Sequence, residues 1–518
     1  MLSMAAQPNI LVFMTDQQRG ETLWPGHRLK ARTPCADRFA ARALSFRQAF
    51  TTAPHCSPSR ASFFTGLYPS EHGVWNNVSV VNALTRGPRE GVTPWSRELV
   101  ARGYDLAFSG KWHVSNEVRP ADEGWIELML APPQDPSPGT QDEQRRRALD
   151  AARRRLRAEP RAGEWGARAE GEIVRPGWST WVHYGIDERP YDDDDVVLQG
   201  IDFIERKRDD QEPWMLYVGT LGPHDPYTPP QRFLDLYPID EVQLPPSFPD
   251  AMHDKPAMYR RIQARFDQLT EREQREALRH YLAFCSYEDW LFGQLLDALE
   301  RTGQARNTAV LYLSDHGDYA GDHGLWAKGL PAFDGAYRIP AVISWPGMAY
   351  RPRDIDGLVS MVDIAETIRD IAGLPASGHA DARSLRPWFE GRQPERVRVA
   401  VHSQTNGNEV YGTQRVVRTA RWKLVCNFFD EDELYDLAED PEETNNLIAI
   451  SPDPRCAGQA PLWRLPERYR GITRDLYQRM WRHALAVDDE ILDGYILAAL
   501  GTFGPLEALD VCDRAPSS

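Results

Sequence analysis

The run Asn9-Ile10-Leu11-Val12-Phe13-Met14-Thr15-Asp16 decides the fold. Its apolar, β-prone residues predict a strand buried on both faces, and Asp16 puts a carboxylate where that strand ends. The pattern recurs at Ala309 to Leu313, which leads into Ser314-Asp315-His316-Gly317. Two buried strands therefore deliver acids to their carboxyl ends. Further strands are predicted at Asp105 to Ser109 and Trp214 to Gly219, with helical segments such as Val196 to Arg206 and Glu271 to Thr302 between strands. This alternation predicts an α/β fold, a mostly parallel central sheet flanked by helices, in which ligands collect at the carboxyl edge.

The composition bounds what such a fold can do. A chain of 518 residues exceeds one small core, so two domains are expected. A formal charge of -16 argues against nucleic acid or an anionic membrane surface as the main partner, since both need a cationic face. An anionic substrate would need a local positive pocket, which suffices because salt screens charges beyond about 8 Å. The segment Met1 to Pro8 has no cationic start, Ile10 to Met14 is too short for a signal core, and no apolar stretch approaches the roughly 20 residues of a membrane span. The expectation is a cytoplasmic protein with no membrane partner. Six scattered cysteines, Cys35, Cys56, Cys285, Cys426, Cys456 and Cys512, lack C-x-x-C spacing and suggest neither a zinc site nor a disulfide framework.

Residues 1–390 read as the catalytic domain, interrupted at about 132–181 by an insertion rich in Pro, Gly, Arg and Glu. Its arginine runs, Arg145 to Arg147 and Arg153 to Arg155, are interleaved with acids and read as a solvated helix. The tetrad Asp192 to Asp195 precedes an apolar-periodic helix, where capping and dipole complementation explain it. Residues 391–518 read as a smaller C-terminal subdomain on an antiparallel sheet, with strands at Val397 to His402, Gln414 to Arg418 and Trp422 to Phe428. The aromatic-rich helical tail after Pro461 is a candidate subunit contact, which would make a homo-oligomer, with packing onto its own domain as the alternative.

The chemistry begins at Cys56-Ser57-Pro58-Ser59-Arg60, followed by Ala61-Ser62-Phe63-Phe64-Thr65-Gly66. Four further pieces stand in order around it: Thr15-Asp16-Gln17-Gln18-Arg19, Gly110-Lys111-Trp112-His113, Gly222-Pro223-His224-Asp225-Pro226-Tyr227, and Ser314-Asp315-His316-Gly317-Asp318 with Gly324-Leu325-Trp326-Ala327-Lys328-Gly329. Together they resemble the sulfatase family of the alkaline phosphatase superfamily, which also contains phosphonate monoester hydrolases. The resemblance covers about Pro8 to Leu447, ending in a Leu434-to-Leu447 run similar to one that closes the C-terminal sheet of sulfatases.

The resemblance implies an alkaline phosphatase-like fold and oxidation of Cys56 to formylglycine by a formylglycine-generating enzyme. It implies that Asp16, Gln17, Asp315 and His316 bind one divalent cation, with modified Cys56 as a further ligand. Acids at strand ends can converge on a hard ion, whereas helix capping is the alternative role for Asp16 and Asp315. Many members have two successive Asp at the first position; this chain has Asp16-Gln17, one charge fewer. With His316 adding a nitrogen, Mn²⁺ rivals Ca²⁺. By analogy the hydrated formylglycine attacks sulfur and a covalent sulfo-enzyme follows, Arg60 stabilises the diol and His113 handles its proton. Lys111 and Lys328 hold the ester oxygens, and His224 is a candidate general acid on the leaving-group side.

The expected activity is thus hydrolysis of a small-molecule sulfate ester, as in an arylsulfatase. A phosphonate monoester or phosphodiester hydrolase is the alternative, and the Lys111 and His113 pair favours the sulfatase. A binding protein that merely retains the scaffold would be expected to lose Cys56, Arg60 or a metal acid, and none is lost. Trp75, Asn76, Asn77, Tyr227 and Trp326 are candidates for leaving-group contacts, with plain packing as the alternative.

Overall fold

A computed structural model describes residues 7–130, 150, 153–154, 168–175, 178–210, 212–395, 397–408, 410–448 and 467–496. Asn9–Thr15 (β1) is buried at every position and lies inside an eight-stranded sheet. The other strands in chain order are Leu44–Phe50 (β2), Asp105–Gly110 (β3), Ile126–Leu130 (β4), the separate hairpin Glu172–Arg175 (β5) and Trp178–Val182 (β6), Trp214–Gly219 (β7), Thr308–Ser314 (β8), Ala341–Ser344 (β9) and Arg353–Ser360 (β10). The sheet order is β10-β2-β9-β8-β1-β7-β3-β4. Strand β9 runs antiparallel to β2 and β8, and the other neighbouring pairs are parallel.

Residue alternation along the central strands sorts side chains onto two cores. Leu11 and Phe13 join Val310, Tyr312 and the long helix Glu271–Arg301 on one face. Ile10, Val12 and Met14 join Ala309, Leu311 and Leu313 on the other, beneath the helices Cys56–Thr65 and Met361–Ile371. Neither face of β1 meets water, which is why its sequence does not alternate.

A second sheet is an antiparallel meander of Val401–Gly407 (β11), Tyr411–Arg418 (β12), Trp422–Asn427 (β13) and Glu433–Asp436 (β14). One face packs Val401, Val416, Val425 and Tyr435 against Tyr259, Leu325 and Phe333 of the larger part. The other is covered by the helix Glu467–Ala486, whose Leu476, Tyr477, Met480 and Trp481 meet Val417, Leu424, Cys426 and Leu434. This stretch of the aromatic tail thus packs onto its own sheet. The strand expected at Val397 to His402 instead starts at Val401. Val397 and Val399 face water, whereas Arg398 is buried and paired with Asp363 and Asp381, so the apolar pattern there was not a core pattern.

Most of the 132–181 insertion, including Arg145 to Arg147 and Arg155, lies outside the described residues, as do Cys456 and Cys512; Arg153 and Arg154 are helical and exposed, and Arg153 pairs with Asp150. Cys35, Cys56, Cys285 and Cys426 are free thiols. Among the described residues no helix is long and apolar enough to cross a membrane.

The tail helix brings a titratable pair to the second sheet. The rings of His402 on β11 and His483 on the helix stack 3.9 Å apart at 5°. Asp381, Arg398, Arg415 and Asp489 surround them. Burial pushes His483 down to about 4, and burial with His483 alongside holds His402 well below its ordinary range. A group that protonates at lower pH in the folded state than in the unfolded one loses its contribution to stability as pH falls from about 6.5 toward 4. His483→Phe keeps the stacked ring and removes one titration. Its melting midpoint is expected to fall less between pH 7 and pH 5 than that of the parent chain; equal falls would contradict the assignment.

Candidate active site

Strand register builds the centre. Thr15 of β1 lies beside Ser314 of β8, so the next residues, Asp16 and Asp315, emerge side by side at the carboxyl edge. Gly110 ends β3 beside Gly219 of β7, with φ +98, and a Cβ there would sit 2.0 Å from the Gly219 carbonyl oxygen. That close approach needs glycine, and it lets the Lys111 N–H donate to the same oxygen at 2.8 Å. Cys56 is the first residue of the helix Cys56–Thr65 and is 1% exposed. The next N–H, of Ser57, donates to Asn77 Oδ1 at 3.0 Å, so Asn77 caps this helix.

These loops converge. One ligand atom each from Asp16, Cys56, Asp315 and His316 lie within 4.8 Å of one another, all buried. Cys56 Sγ is 3.7 Å from Asp16 Oδ1 and 3.3 Å from His316 Nε2. His316 Nδ1–H donates to the Gly317 carbonyl at 2.9 Å, which turns Nε2 toward Cys56 and the two carboxylates; burial opposes charge on this ring, but Asp315 raises it above its ordinary value. Asp315 Oδ1 accepts from the N–H groups of Gln17 and His316, so the backbone aims it.

Arg60 braces the acids. Its Nε donates to Asp315 Oδ2 at 2.8 Å and its Nη2 to Asp16 Oδ2 at 3.0 Å, while Nη1 meets the Lys111 carbonyl and Tyr217 Oη. The guanidinium thus binds the two carboxylates, a role the pentad Cys56 to Arg60 did not reveal. Lys111 Nζ donates to Asp16 Oδ2 at 2.6 Å. Neither acid caps a helix.

The electrostatics are those of a crowded anionic centre. Burial and the Asp16 carboxylate push Asp315 up. Burial would also raise Asp16, but Lys111 and its cationic neighbours hold it well below the usual carboxylate range. Burial likewise opposes ionisation of the Cys56 thiol, yet Lys111, Lys328 and His316 bring it well below its ordinary value. Two buried carboxylates, one imidazole nitrogen and one group at position 56 form a donor set that fits a divalent cation, which would relieve the repulsion raising Asp315.

The remaining expected residues surround this group. His113 has φ +55, shares a 2.9 Å hydrogen bond between Nε2 and Ser79 Oγ, and leaves Nδ1 buried without a hydrogen-bond partner. Burial and Lys111 push it down to about 4, with Cys56 acting in opposition. Lys328 Nζ donates to Gln17 Oε1 at 2.6 Å. Gln17 thus stands at the edge of the group, its amide engaged by Lys328 on one end and by Asp318 on the other. His224 is 21% exposed, and its Nδ1–H donates to the Asp225 carbonyl at 2.6 Å.

Several neighbours were not foreseen. The tetrad complements the helix dipole but does not cap it: Asp193, Asp194 and Asp195 lie in the first turn of the helix Asp193–Arg206 and Asp192 makes no side-chain cap, while buried Asp193 also accepts the Leu221 and Gly222 N–H groups and so anchors the turn that leads to His224. Tyr217 on β7 and Ser79 gave no local sequence signal. Asp318, in the run Asp315-His316-Gly317-Asp318, could have been noticed from its spacing. The expected leaving-group residues pack instead: Trp75 lies under Arg415, Asn76 holds the 82–84 turn, Trp326 Nε1 donates to Gln274, and Tyr227 Oη donates to Asp318.

The chain can now be set beside known proteins. The family model described as Sulfatase matches residues 8–374, and one described as N-sulphoglucosamine sulphohydrolase, C-terminal, matches residues 321–455. A choline-sulfatase of Rhizobium meliloti is 29% identical over 480 residues, spanning 85% of this chain and 82% of the relative. An arylsulfatase of Clostridium perfringens is 28% identical over 453 residues, spanning 85% and 90%. The phosphonate monoester hydrolase of Agrobacterium radiobacter superposes with a TM-score of 0.71 at 21% identity, covering 92% of this chain and 96% of its own. A protein solved in complex with its substrate D-glucosamine-2-N,6-O-disulfate gives 0.68 at 20% identity, covering 94% and 99%. These structures share the alkaline phosphatase-like fold. With the family model matched from the first strand through the carboxyl edge that carries Asp16, Cys56 and Asp315, this chain belongs to the sulfatase family and is an enzyme of that family.

Proposed function

We propose that this enzyme hydrolyses a small-molecule sulfate monoester, with formylglycine made from Cys56 as nucleophile and one divalent cation held by Asp16, Gln17, Asp315 and His316. The observation that carries this reading is the buried convergence of Asp16, Cys56, Asp315 and His316 within 4.8 Å. When bound, the cation would offset the two carboxylates and favour loss of a proton from an oxygen beside it. The imidazole nitrogen suits Mn²⁺ better than Ca²⁺, whose ligands are oxygens.

The chain's own groups divide the remaining work. Arg60 keeps Asp16 and Asp315 in place through its paired donors. The Lys111 and Lys328 ammonium groups, both largely buried, meet the ester oxygens and stabilise the charge that grows there. His113 is neutral at pH 7, and in the tautomer whose Nε2–H donates to Ser79 its Nδ1 lone pair can take a proton from the diol at position 56. His224, held through Nδ1 by the Asp225 carbonyl, turns Nε2 to the leaving-group oxygen. The Lys111 and His113 pair is the reason to favour sulfate over phosphonate esters on this scaffold.

In active enzyme the peptide containing position 56 is expected to have lost its thiol mass and to react with a hydrazide probe. Given an aryl sulfate, a phosphonate monoester and a phosphodiester in parallel, that enzyme is expected to turn over the sulfate fastest. Unmodified cysteine in fully active protein would contradict the first half of the proposal, and a faster phosphonate ester the second.

His224→Ala is expected to slow esters with poor leaving groups by about 10²- to 10⁴-fold and activated aryl sulfates far less, because a phenolate departs with little protonation. A leaving-group series measured for both proteins checks this. Equal losses across the series would make His224 a binder of ester oxygens.

A further inference from the structure

We propose that Asp318 is a positioning residue that locks the Gln17 amide with its carbonyl oxygen turned toward Lys328 and the cation site, an inference that rests on the cation proposed above. Gln17 Nε2 donates to Asp318 Oδ2 at 2.6 Å and lies 3.4 Å from Asp225 Oδ1. Gln17 Oε1 accepts from Lys328 Nζ at 2.6 Å. Gln17 and Asp318 are both fully buried.

An amide has two nearly isosteric ends and can be reversed by a half turn about its last torsion. Reversed here, the oxygen would face two carboxylates and the NH₂ would face an ammonium. Every contact would become repulsive, so only one orientation is tenable. Asp318 itself cannot turn away. Its Oδ2 also accepts from Tyr227 Oη at 2.7 Å, and its Oδ1 accepts the N–H groups of Ala320 and Ala327 at 2.7 and 3.1 Å.

The need for such a lock comes from the residue at position 17. A carboxylate there would offer a cation two equivalent oxygens in any orientation. A glutamine offers one oxygen, and the wrong end presents N–H dipoles that repel a cation. Asp318 also sits two residues after His316, so the turn that supplies the imidazole nitrogen supplies the lock.

The test is a four-protein cycle in which Mn²⁺ is titrated into the metal-free full-length chain, with near-ultraviolet circular dichroism confirming the fold. In the parent, Asp318→Asn is expected to weaken Mn²⁺ binding by about 10- to 100-fold, as loss of a group orienting a ligand does. In a Gln17→Asp background the same substitution is expected to change affinity by less than about threefold or to tighten it, because the carboxylate needs no orientation. Asp318→Asn that folds only in the Gln17→Asp background would also support the lock. Equal losses in both backgrounds, unfolding in both, or an unchanged affinity in the parent would overturn it. A parent chain that binds no Mn²⁺ would refute the cation itself, and the lock with it.

Discussion

Asp16 and Asp315 stand side by side because β1 and β8 are parallel neighbours in a register that pairs Thr15 with Ser314. Two carboxylates without solvent repel each other, and burial raises the cost of ionising both. Arg60 from the Cys56 helix offsets part of that cost by donating to each acid, and Lys111 adds a second cation at Asp16. The remaining edge of the group, formed by Asp16 Oδ1, His316 Nε2 and Cys56 Sγ, lies away from the Asp16 oxygen that Arg60 and Lys111 engage. The rest of the centre is arranged around that edge.

The same constraint explains how distant segments come together. The Cys56 helix is placed by its Arg60 bonds below and by Asn77 at its first turn. The His224 turn is fixed by Asp193 from a helix earlier in the chain, whose carboxylate replaces the carbonyl acceptors that a strand neighbour would supply. Lys328 arrives from the loop after β8, whose downstream Asp334 is clamped by Lys423 and Arg418 of the C-terminal sheet. Breaking a buried pair of this kind by removing one partner costs about 3–5 kcal/mol, so the smaller sheet helps to hold the catalytic edge in place.

What the sequence disclosed follows from burial. Strands β1, β3, β7 and β8 lie within the sheet, and their continuous apolar runs made them legible, as did the acids that follow β1 and β8. Strand β2 carries Arg47 and Gln48, and β10 alternates charged residues at its exposed start, so neither reads as a central strand. The centre was legible through ordered motifs, but not through its supports. Arg60 was visible as a residue of the pentad, whereas its hold on both acids depends on chain separations of 44 and 255 residues that no local pattern encodes. Tyr227 and Trp326 read equally well as substrate contacts or core, and only their buried partners, Asp318 and Gln274, decide for packing.

The central claim is that the paired acids exist to hold a cation. Asp315→Asn keeps the shape of the side chain and the capacity to accept from the Gln17 and His316 N–H groups while removing its charge. Metal content per chain, measured by mass spectrometry on protein loaded with Mn²⁺ and then freed of unbound metal, tests the claim most directly. The account expects one ion per chain in the parent and a loss of most of it in Asp315→Asn with the fold retained. Full occupancy in that variant, or no ion in the parent, would contradict it.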